Sequence, residues 1–62
     1  MVYDRIVEIC RERNISITKV EDMANLGHGT IGKWKIVDPQ IGNIKKVAVV
    51  LEVPIDRLVG DN

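Results

Sequence analysis

Residues 16–35, SITKVEDMANLGHGTIGKWK, restrict most strongly what this chain can fold into. Ser16 places a hydroxyl at an N-cap position, Val20 and Met23 follow at helical spacing, the pattern breaks at Asn25 to Gly27, and it resumes at Ile31 and Trp34. Two short helices around a tight turn satisfy that order. The reading is a helix-turn-helix, with the chemistry on its second helix.

Size narrows the rest. The 62 residues form a single domain over 1–62. A chain this short buries only about 60% of the surface its unfolded form exposes, so its core must come from closely meshed helices, with no room for a large active-site cleft. A content of 45% hydrophobic and 29% charged residues suits a packed domain and argues against disorder. One cysteine excludes an internal disulfide, and one Cys with one His cannot complete a four-ligand zinc site. No metal or cofactor is expected. No apolar run approaches the roughly 18 residues of a membrane span. The opening MVYDRIVEIC places acids where a signal peptide has none, so the expected setting is the reducing cytoplasm, without membrane association.

Net charge is zero, but its distribution is uneven. Residues 1–26 hold five acids and four bases; residues 27–46 hold Lys33, Lys35, Lys45 and Lys46 against Asp38 alone; residues 47–62 hold three acids and Arg57. Positive charge therefore gathers on the second helix of the motif and on the start of the next one. A solvated lysine face is the plain reading of that pattern. A nucleic-acid face is the functional one.

Taken in order, the chain opens with an amphipathic helix over about residues 2–13. Val2, Ile6, Ile9 and Cys10 form one stripe, and Asp4, Arg5, Glu8, Arg11 and Glu12 fill the other face. Cys10 reads as a core thiol. Asn14 suits a left-handed C-terminal position, over which Ile15 packs back. In the second helix Ile17, Val20 and Met23 or Ala24 give the buried side. Asn25 then takes a positive φ, Leu26 plugs the turn and Gly27 caps the third helix.

The third helix, about residues 28–36, is weak on propensity, since Gly29 and Gly32 each cost about 1 kcal/mol against alanine in a helix interior. Ile31 and Trp34 anchor one side. The other side shows His28, Gly29, Gly32 and Lys33, which are small or donor-bearing and let another surface approach closely. The alternative is that the glycines serve tight helix packing. Pro39 breaks the chain before a fourth helix whose stripe is Ile41, Ile44, Val47, Ala48 and Leu51. Its first turn offers backbone N–H groups at Gly42 and Asn43, followed by Lys45 and Lys46, a phosphate seat. Pro54 opens a short fifth helix with Ile55, Leu58 and Val59, closed by Gly60.

At this point the residues resemble a known family, the helix-turn-helix domain of phage repressor and Cro proteins (the XRE type). The likeness runs over essentially the whole chain. It is carried by Ile15-Ser16, Val20-Glu21, the run from Leu26 to Lys35, Pro39 with Ile41, Asn43 to Lys46, and Val53 to Leu58. The resemblance implies an all-α, compact five-helix lambda-repressor-like domain. It also implies a transcriptional regulator, a repressor, that reads double-stranded operator DNA through its third helix in the major groove. Carried over residue by residue, the base-reading candidates are His28, Gly29, Thr30 and Lys33, with Gly29 offering access rather than a side chain. The phosphate candidates are Ser16, Ile17, Lys35, Gly42, Asn43 and Lys46. A homodimer, at least on DNA, is expected, its surface drawn from Val53, Ile55 and Val59; no small-molecule substrate is implied.

Three departures matter. Ile17 stands where many members carry glutamine, leaving only a backbone N–H. Asn25 replaces the usual glycine of the turn, and Glu21 replaces a common alanine, from where it is expected to tilt the third helix or pair with Lys33 or Lys35. Neutral charge and Ile17 keep a second reading open: a protein-interaction module on the same fold, an antirepressor or antitoxin-like partner. An enzyme is not expected, since His28 has no nucleophile or carboxylate placed around it as a catalytic set.

Overall fold

The computed structural model describes residues 1–60. Every regular element is helical, with no strand among the described residues. The order is α1 (Val2–Arg13), α2 (Ile17–Met23), a 3-10 helix (Ile31–Lys35), α3 (Ile41–Leu51) and α4 (Asp56–Val59).

The ends of α1 and α2 follow from local chemistry. Asp4 in the first turn and Arg11 and Arg13 in the last complement the helix dipole of α1. Asn14 adopts φ 58°, ψ 44°; its N–H donates to the Arg11 carbonyl, and the Ile15 N–H to the Cys10 carbonyl at 3.0 Å, which closes the helix and turns Ile15 back onto the core. Two residues later the Ser16 hydroxyl accepts the Lys19 N–H at 3.0 Å and starts α2. Asn25, at φ 61°, turns the chain out of α2, and the Leu26 N–H reaches back to the Glu21 carbonyl at 2.8 Å.

α1 packs against α4 and the 3-10 helix, while α2 packs against α3. Between them lie Ile6, Ile9, Cys10, Val20, Ala24, Ile31, Trp34, Ile44, Val47, Ala48, Leu51 and Leu58. Cys10 belongs to this core, and burial pushes its thiol pKa up, away from the reactive thiolate.

The structure departs from the sequence expectations at several points. The third element is not an α-helix over residues 28–36 but a five-residue 3-10 helix that starts at Ile31, because Gly29 sits at φ +91° and no helix runs through that geometry. Its N-cap is Thr30, not Gly27. On α2 the buried choice is Ala24, and Met23 is 54% exposed. Ile41 is 57% exposed instead of lining the core, since it lies in the first turn of α3, at the edge of the packed face. Val53 and Ile55 pack onto the core, leaving only Val59 of the expected dimer surface well exposed. The exposed apolar side chains instead include Ile36, 88% exposed, and Val37 and Ile41 on either side of Pro39. The helix before Gly60 is a single turn that begins two residues after Pro54.

Candidate nucleic-acid interface

The segment proposed to read bases is held from behind by two apolar side chains and from one end by an acid. Ile31 and Trp34 are buried. At the start of the segment the Glu21 carboxylate accepts the Gly29 N–H at 3.2 Å (Oε1) and 3.1 Å (Oε2) and the Ile31 N–H at 2.9 Å (Oε2). Glu21 is 2% exposed. Backbone amides at a helix start lack intrahelical acceptors, and a buried carboxylate needs donors, so each satisfies the other. No buried side-chain nitrogen or oxygen among the described residues is left without a partner. Glu21 thus pairs with backbone amides and not with Lys33 or Lys35, which corrects the sequence expectation.

The four base-reading candidates lie along this segment. His28 is exposed, and its Nε2 lies 2.7 Å from Asp22 Oδ1. The hydrogen bond to Asp22, and then the Asp22 charge, raise the imidazole pKa above its ordinary 6.5. Gly29, Thr30 and Lys33 are joined through backbone: the Lys33 N–H faces the carbonyls of Gly29 and Thr30, each at 3.2 Å. Thr30 is half-buried and its side chain makes no capping bond. Lys33 is exposed. A Cβ built on Gly29 or on Gly32 meets nothing within 4 Å. Tight helix packing is therefore not why these glycines are present; the space in front of them is open.

The phosphate candidates are distributed along the chain. Ser16, Lys35, Gly42 and Lys46 are exposed. Ile17 packs its side chain against the core, which explains an apolar residue there and leaves its backbone as the only polar group. At the start of α3 the Asn43 N–H already donates to the Gln40 carbonyl at 3.0 Å, so the backbone donor expected of Asn43 is engaged within the helix. Lys33, Lys35, Lys45 and Lys46 make no ion pair among the described residues, whose salt bridges are His28–Asp22 and Arg57–Glu12. Lys35 is instead steadied over the Tyr3 ring, 5.4 Å from its centroid, a contact that sequence spacing does not reveal because Tyr3 lies on α1.

Among the described residues no three His, Cys, Asp or Glu side chains gather as a metal site, and no helix is long and apolar enough to cross a membrane. Comparison with known protein families, with curated proteins and with solved structures finds no match for this chain.

Proposed function

We propose that the chain is a sequence-specific DNA-binding transcriptional regulator, a repressor acting in the cytoplasm. In this reading α2 and the 3-10 helix form a helix-turn-helix within a five-helix lambda-repressor-like domain, and the 28–35 segment enters the major groove of operator DNA, where a homodimer reads two half-sites. The observation that carries the proposal is the character of that segment. It is fixed to the core by Ile31 and Trp34, open in front of Gly29 and Gly32, and flanked by Lys33 and Lys35, neither of which is engaged by an acid among the described residues. A groove about 12 Å wide admits a helix whose outer face is bare enough for the backbone to approach base edges. Lys33 then donates to guanine O6 and N7, and Lys35, Lys46 and the start of α3 meet phosphates.

The exposed apolar residues Ile36, Val37 and Ile41 favour a second reading, in which the same fold binds a protein partner and has lost DNA. Selection of bound duplexes from a randomised library separates the two. The expected result is an enriched motif whose specificity relaxes at one position in Lys33→Ala. Absence of any enriched motif overturns the DNA reading.

A further inference from the structure

We infer that Glu21 is the positioning residue of the base-reading segment: by seating the backbone of Gly29 and Ile31 it sets where Thr30 and Lys33 stand when the segment meets DNA. The inference rests on the DNA-binding reading above.

The segment has little means of placing itself. A 3-10 helix of five residues has poor hydrogen-bond geometry, and it is preceded by a glycine at φ +91° and contains another, so intrinsic propensity does not hold its start. Ile31 and Trp34 fix its inner side, but apolar contacts are non-directional and do not by themselves set the backbone of the first turn. The Glu21 carboxylate adds the directional contact. It rises from α2 beside the fully buried Val20, is itself almost fully buried, and accepts both Gly29 and Ile31 across eight and ten residues of chain. Thr30 lies between the two captured amides, and Lys33 is bonded to the carbonyls of Gly29 and Thr30. Thr30 and Lys33 therefore take the placement of their backbone in part from this one side chain.

The same contact restricts how the segment can be used. Free amides at a helix start attract phosphate. Here the Gly29 and Ile31 amides already carry a carboxylate, so neither of them is open to a phosphate oxygen. Loss of Glu21 should thus affect discrimination between sequences more than attraction to DNA.

The test compares the native chain with Glu21→Gln and Glu21→Ala. Duplexes are selected from a randomised library with the native chain, and each protein is titrated with the selected duplex and with a scrambled one across a range of salt. The ratio of the two affinities should fall on the order of tenfold or more in Glu21→Ala, the scale of losing hydrogen bonds to a charged group. It should fall less in Glu21→Gln, whose amide keeps an acceptor but turns an N–H towards Gly29. The slope of log K against log salt should not become shallower, because no phosphate contact is removed. A purely structural role would weaken both duplexes by the same factor. If Glu21→Ala does not fold, Glu21→Gln decides. A motif selected by the native chain, with the native ratio kept in the folded variants, overturns the role of Glu21 and leaves the DNA reading standing. No motif from the native chain overturns both.

Discussion

Asp22 Oδ1 lies 2.7 Å from His28 Nε2, joining the end of α2 to the start of the segment proposed to read bases. Asp22 is the neighbour of Glu21, so two successive acids hold the turn between the two elements, one buried on backbone amides and the other exposed on an imidazole.

This pair makes the site pH-dependent. The folded imidazole has a pKa raised above 6.5, chiefly by the Asp22 hydrogen bond and charge and in smaller part by the charge of Glu21. Its contribution to stability is therefore complete below about 6.5 and is lost as pH rises through the raised folded value. The effect on stability is small, since both side chains are more than half exposed. Duplex affinity should fall over the same window, because with Nε2 turned to Asp22 the imidazolium still offers its Nδ1–H and a charge, while the neutral ring that keeps its proton on Nε2 offers Nδ1 only as an acceptor. An NMR titration of His28, the chain's one histidine, should show the raised pKa in the native chain and a return towards 6.5 in Asp22→Asn.

Gly32 and Gly29 should respond oppositely to alanine. At Gly32 a Cβ meets nothing and φ is ordinary, so Gly32→Ala should gain about 0.5–1 kcal/mol and raise the melting temperature by a few degrees. Its affinity for a selected duplex should nonetheless drop, because in the proposed reading the methyl fills the space a base edge would enter. At φ +91° an L side chain is strained, and Gly29→Ala should lose about 1–2 kcal/mol. Thermal melts paired with duplex titrations of the two variants check both signs.

The contact between the end of α1 and the end of α3 makes a separate prediction. The Arg13 guanidinium donates to the Leu51 carbonyl at the end of α3, beside Glu52, which adopts a left-handed φ of 58°. Arg13→Ala should cost about 1–2 kcal/mol, in keeping with a hydrogen bond from a charged group. Glu52→Gly should stabilise by up to about 1 kcal/mol through relief of the left-handed backbone. Asn14→Gly should give less, since asparagine tolerates that conformation. Denaturant melts of the three variants measure the differences.

Local chemistry made much of the fold legible. Asn14, Ser16, Asn25 and Gly60 act where short-range rules place them, because each needs only its own dihedrals or an N–H within three or four residues. Helical periodicity located Ile6, Ile9, Val20, Ile44 and Leu51, all of them buried. It could not choose between Met23 and Ala24, which sit side by side at the edge of one stripe, nor foresee that the first turn of α3 leaves Ile41 in solvent. Non-local contacts were the least legible. The pattern on α1 gives Arg13 no partner until α3 brings its carbonyl end across, and Glu21, expected to tilt the third helix or pair with Lys33 or Lys35, instead meets two amides that the turn returns to it. Sequence did show that the 28–36 segment is a poor helix; that the chain answers with a 3-10 helix and a buried carboxylate depends on packing.

The most direct test of DNA binding is a titration of a labelled selected duplex with the native chain from about 50 to about 200 mM salt, with Lys35→Ala and Lys46→Ala alongside. The expected result is a linear fall of log K with log salt, at about −0.9 per phosphate neutralised, with a slope about one unit shallower in each lysine variant. A duplex affinity that does not change with salt contradicts the proposal.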